Sequence, residues 1–84
     1  WSQGLEVITE DSQTHGRADM VVGARRAIYI FELKVDESAE AALAQIHEKD
    51  YAAPYRVRNL PIWVIGLNFD SKTRHLKDAV YERL

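Results

Sequence analysis

Two apolar runs, AIYIFELK at 27–34 and PIWVIGLNF at 61–69, flank a stretch of strong helix formers, and that order limits the fold more than any other feature. Runs of this length rich in Ile, Val, Phe, Tyr and Trp read as strands, and the first suits burial on both faces. The stretch SAEAALAQIHEKDYAA at 38–53 reads as a helix, with Ala39, Ala42, Leu43, Ile46 and Asp50 marking one stripe at spacings of three and four. Asp36 or Ser38 is placed to cap it and Pro54 to end it, before a loop at 54–60. A strand reached through a helical crossover runs parallel to the sheet it rejoins, so 61–69 is expected to lie parallel to an earlier strand.

Upstream, LEVITE at 5–10 alternates apolar and polar residues, a polar loop covers 11–16, and a second strand spans 17–22. Gly23-Ala24-Arg25-Arg26 is short enough for a hairpin turn into 27–34. The reading is an antiparallel β-meander, a helix and a further parallel strand, followed after a turn at 70–73 by a terminal element. Leu76, Val80 and Leu84 fit a helix there, whereas AVYERL at 79–84 fits an edge strand.

At 84 residues the chain holds a single domain, 1–84, with a small core, and a homodimer would enlarge that core. A net charge of −2 excludes the global basic footprint of many DNA-binding proteins, but not a partner met by a cation and local basic groups. Three such groups stand out: Arg25-Arg26, Arg56-Arg58 and Lys72-Arg74-Lys77, ordinarily solvated faces and the first places to look for phosphate contacts. With no cysteine there are no disulfides and no thiolate metal sites. The three histidines share no ligand spacing, and no glycine-rich phosphate loop is present. No apolar run reaches the length of a membrane span, which leaves a cytoplasmic location as the expectation.

The anomaly is how the strand at 27–34 ends. Glu32 and Lys34 lie two apart, so they share one face of a pleated strand beside the core. If the hairpin is centred on 24–25, paired residue numbers sum to 49–51, and Asp19 faces the region 30–32. Carboxylates on neighbouring strands repel unless something positive separates them. A hard divalent cation does this, with the Leu33 carbonyl as a neutral ligand and Lys34 close enough to act on a water or a phosphate. A salt-bridged cluster closing the hairpin explains the same residues.

Four stretches, GRADMVV (16–22), IYIFELK (28–34), AEAALAQIHEKDYAAPY (39–55) and IGLNFDSKTR (65–74), resemble the PD-(D/E)XK nuclease superfamily. The resemblance is closest to the small nuclease-like domain at the C-terminus of bacterial AAA-ATPase-like proteins. Asp19 matches the first acid of the motif and Glu32-Leu33-Lys34 the E-X-K. The resemblance implies an α/β, restriction-endonuclease-like core and a metal-dependent nuclease acting on DNA ahead of RNA. Asp19, Glu32 and the Leu33 carbonyl would hold Mg²⁺ or Mn²⁺, and Lys34 would position the attacking water. Gln45 matches a glutamine that many members place near the site, and Tyr51 and Arg17 are candidate substrate contacts. Ala18 stands where the motif name has proline, and the helix that usually precedes the first strand is missing from this sequence. The other reading is a catalytically silent interaction module associated with an ATPase-like protein.

Overall fold

The computed structural model describes residues 6–8 and 18–84, without the side chains of Glu6 and Ile8. A five-stranded mixed sheet, in chain order across its width, carries one helix on one face. The strands are β1 (Glu6–Ile8), β2 (Met20–Gly23), β3 (Ile28–Val35), β4 (Ile62–Asp70) and β5 (His75–Arg83). Helix α1 (Ala39–Glu48) and a 3₁₀ helix (Ala53–Arg58) join β3 to β4. β1, β2 and β3 form the expected antiparallel meander, and β4 runs parallel to β3, with Ile28 opposite Ile62 and Glu32 opposite Gly66. Of the expected strands at 5–10 and 17–22, residues 5, 9, 10 and 17 lie outside the described residues, as does the loop at 11–16.

The core lies between the sheet and α1. Ile28, Ile30, Ile46 and Val64 are fully buried, each contributing about 1.5–3 kcal/mol by leaving water. Ala39, Ala42 and Ile46 are buried on the helix side and Leu43 packs against them partly. Gly66 makes the close contact possible: a Cβ there would meet the Ala39 carbonyl oxygen and approach the Leu43 nitrogen to 2.7 Å. A glycine inside a strand marks such an approach of another backbone.

Four expectations need correction. The helix stops at Glu48, six residues before Pro54, because Asp50 takes a left-handed backbone (φ 50°) and closes a Schellman turn. There the Asp50 N–H donates to the His47 carbonyl at 3.1 Å and the Tyr51 N–H to that of Ile46 at 3.2 Å. Asp50 is therefore a terminator of α1 and not part of its buried stripe. Residues 53–58 form the 3₁₀ helix where a loop was expected, with Pro54 in its first turn. Among the described residues β3 is covered on one face only: Leu33 and Val35 are exposed, Tyr29 and Phe31 half-buried, and no described helix packs over them. The same face of β4 and β5 carries Trp63 and Tyr81, whose rings stand 6.2 Å apart.

The two open alternatives are settled. Ser38 caps α1, its hydroxyl accepting from the Ala41 N–H at 3.0 Å. The terminal element is a strand, β5, antiparallel to β4 with an irregularity at Asn68/Phe69. Asp70 starts the turn between them by accepting from the Lys72 N–H at 2.8 Å.

Asp36 (φ 59°) takes the other role, tying the end of β3 to that turn. Its carboxylate accepts from the Ser71 hydroxyl at 2.6 Å and the Ser71 N–H at 2.9 Å, and these bonds hold its pKa below the ordinary value. The associated stability is present above the unfolded pKa of 3.8 and is lost as pH falls through the lowered one. Ser71→Ala is expected to move the Asp36 titration midpoint upward by NMR; an unmoved midpoint refutes this assignment.

Candidate active site

β2 and β3 pair so that residue numbers sum to 51, with Met20 opposite Phe31, which extends to Asp19 opposite Glu32. The Asp19 carboxylate reaches across and accepts the Leu33 N–H at 2.7 Å. A strand residue directs its N–H and C=O to the same side, so the Leu33 carbonyl also faces the Asp19 side. Ile28, Ile30, Glu32 and Lys34 alternate onto the helix-bearing face of β3, which sets the ionisable pair at the edge of the core.

Glu32 is only 5% exposed. Its Oε2 accepts from Gln45 Nε2 at 2.6 Å, whereas its Oε1 is buried with no hydrogen-bond partner. Burial raises its pKa first and the Asp19 charge second, with smaller lowering by the Asp19 backbone N–H and Lys34. An orphaned carboxylate oxygen in this setting is costly, since a buried polar atom ordinarily finds a partner.

Gln45, at the end of the second turn of α1, joins the site's parts. Its Oε1 accepts from Lys34 Nζ at 2.6 Å, and its Nε2 donates to Glu32 and also to the Tyr51 hydroxyl at 2.9 Å. Tyr51 reaches it because the Schellman turn folds the chain back under the helix, where the Tyr51 ring is buried. The amide thus separates Lys34 from Glu32: the ammonium meets the amide oxygen and the acid meets the amide nitrogen. No direct Lys34–Glu32 ion pair is formed, which departs from the salt-bridge explanation.

The donor set suits a hard cation. Among the described residues no group of three or more His, Cys, Asp or Glu could hold a metal ion; the oxygen groups around Leu33 are the Asp19 and Glu32 carboxylates and the Leu33 main-chain carbonyl. Mg²⁺ is commonly held by one or two carboxylates, with water and phosphate oxygens completing its shell. The structure brings together Asp19, Glu32, Leu33, Lys34, Gln45 and Tyr51; Arg17 lies outside the described residues.

The family model of the PD-(D/E)XK nuclease superfamily matches residues 1–79. The chain belongs to this superfamily. Superfamily members are typically nucleases that use divalent metal ions, and the α/β sheet with its inserted helix is consistent with the restriction-endonuclease-like fold. Among curated proteins, the chain is 42% identical over 83 residues to the "Uncharacterized protein in vnfD 5'region" of Azotobacter chroococcum mcd 1. That match covers 96% of this chain and 16% of the relative, so the chain spans about a sixth of the relative's length. No solved structure matches. No helix among the described residues is long and apolar enough to cross a membrane.

Sequence reasoning named these residues but missed two others. Gly66, opposite Glu32, seats α1 over the site, and a glycine amid IWVIGLNF was the available signal. Asn68 is 7% exposed with an unpartnered Oδ1; an asparagine within an apolar strand was its signal.

Proposed function

We propose that this PD-(D/E)XK domain hydrolyses phosphodiester bonds in DNA with Mg²⁺ or Mn²⁺ held by Asp19, Glu32 and the Leu33 carbonyl. One observation carries the reading: a buried glutamate, repelled by Asp19, keeps an oxygen with no partner of its own. A bound divalent cation would supply that partner, lower the pKa of water and offset charge on the phosphate. Glu32 is oriented for this by the Gln45 amide, which fixes one carboxylate oxygen and leaves the other unpartnered. Lys34, held by the same amide, presents an ammonium where negative charge grows as water attacks phosphorus and the 3′ oxygen departs. Tyr51 acts as a positioning residue through Gln45. Two copies acting together would place two such centres on one duplex, and elution as a monomer alone at micromolar concentration would oppose that assembly.

The test uses supercoiled plasmid with Mg²⁺, Mn²⁺ or EDTA. Nicking is expected with either cation and not with EDTA, and Lys34→Ala is expected to slow it by about 10²–10³-fold. Cleavage that survives in both Lys34→Ala and Asp19→Ala would mark a contaminant. No cleavage under any cation would favour the silent module associated with an ATPase-like protein. An RNA panel run alongside decides between the nucleic acids.

A further inference from the structure

The connections that build the sheet also sort its charge. The β2–β3 turn, the 3₁₀ helix before β4 and the end of β5 all arrive at one end, because Gly23 pairs with Ile28, Ile28 with Ile62 and Trp63 with Arg83. Five of the chain's seven arginines, Arg25, Arg26, Arg56, Arg58 and Arg83, therefore gather there, although the whole chain carries −2. Among the described residues, acids offset them only in part: Asp50 is held by Arg56 at 2.9 Å and Glu82 faces His47 at 3.2 Å, leaving Glu48. The opposite end has the reverse character: a cleft of about 630 Å³ is lined by Asp36, Glu37, Asp70 and Asp78 against Lys72 and Lys77.

The arginine end also has a crest. Val57 sits between Arg56 and Arg58 on the 3₁₀ helix, which Asn59 closes in a left-handed conformation (φ 55°). At 82% it is the most exposed of the described large hydrophobic side chains. Arg58 stacks its guanidinium 5.9 Å from the centroid of the buried Tyr55 ring, which steadies the group without removing its charge. The guanidinium groups on either side of Val57 are of the kind that meets phosphate oxygens.

We propose that this end is a second contact surface for the polynucleotide, holding its phosphates apart from the carboxylate centre. The proposal rests on the nuclease reading and adds a direction to it. From Glu32 back along β3 to the Arg25-Arg26 turn is about 20–23 Å at roughly 3.3 Å per residue. At about 3.4 Å per base step, that places the grip roughly six to seven base pairs from the bond cut. The acidic cleft repels a duplex running the other way, so the substrate leaves the centre toward the arginines.

The test measures binding of a labelled 20-base-pair duplex by fluorescence anisotropy from 50 to 300 mM KCl, with EDTA present. Arg25→Ala/Arg26→Ala leaves the core untouched, since both side chains are exposed in the turn. Its slope of log affinity against log salt is expected to shrink by about 1.8, at about 0.9 per lost phosphate contact. Arg25→Glu/Arg26→Glu is expected to weaken binding further, whereas Lys72→Ala/Lys77→Ala leaves the slope unchanged. An unmoved slope in the arginine variants overturns the proposal, as does an equal loss in the lysine variant. Equal binding of polyglutamate of matched charge overturns the assignment to nucleic acid. Cutting is not read here: a protein that binds with the arginine-dependent slope but never nicks plasmid sinks the hydrolytic reading alone. One that nicks plasmid with an unmoved slope sinks this proposal alone.

Discussion

Glu32→Gln is expected to abolish cation-dependent nicking while leaving the metal-free fold at least as stable at neutral pH. The two effects have one cause. The Glu32 pKa is raised, chiefly by burial and then by Asp19, so the ionised group is unfavourable in the folded chain without a cation. For a group raised in this way, the stability it contributes is complete below the unfolded value of 4.5 and is lost as pH rises through the higher folded value. Wild-type protein in EDTA should therefore lose part of its stability over that interval, and the glutamine variant should lack this loss. Millimolar Mn²⁺ should raise the melting temperature of the wild type and not of the variant, because a ligand that favours the folded state stabilises it. Loss of activity should exceed the roughly 10–100-fold that accompanies removal of an outer partner of a metal ligand. Equal Mn²⁺ stabilisation of both proteins would show that Glu32 is not a ligand. A variant destabilised equally at pH 4 and pH 8 would show that its charge is already compensated.

The second large effect concerns packing. Gly66→Ala is expected to lower stability by about 3 kcal/mol, the upper part of the usual range for forcing an atom into a filled core. The added methyl has nowhere flexible to push: its neighbours are the backbone of Ala39 and Leu43, with the Ala42 Cβ at 3.1 Å. A chain of 84 residues has roughly 4–13 kcal/mol to lose. A fall in melting temperature of about 12–24 °C should follow. Where the variant still folds, α1 must lift from β4, and Gln45 with it, so the Glu32 and Lys34 bonds should lengthen and activity should fall. A melting temperature within about 3 °C of wild type would mean that the helix is not seated on that strand as described.

Much of the architecture could be read because local signals and global topology agree. The apolar runs at β3 and β4, separated by alanine-rich helix formers, leave little choice but a parallel pair, and a four-residue turn fixes the register of β2 on β3. That register suffices to put Asp19 beside Glu32. What could not be read depended on backbone conformations with weak sequence marks. Asp50 ends α1 in a left-handed conformation that glycine or asparagine usually provides, so the strong helix formers beyond it misled. The division of Gln45 between Lys34 and Glu32 depends on the depth at which α1 rests, set by Gly66 across the sheet. β5 was ambiguous because its residues are nearly all exposed and neither period dominates.

The parallel alignment of β3 with β4 also governs the order in which the chain can assemble. Neighbouring antiparallel ribbons zip from their turns, but β3 and β4 have no shared turn and meet only once the intervening crossover has folded back. The acids therefore belong to a local hairpin that needs no distant partner. The amide that separates acid from ammonium arrives with the crossover, so the pocket's chemistry is completed by the least local pairing of the described strands.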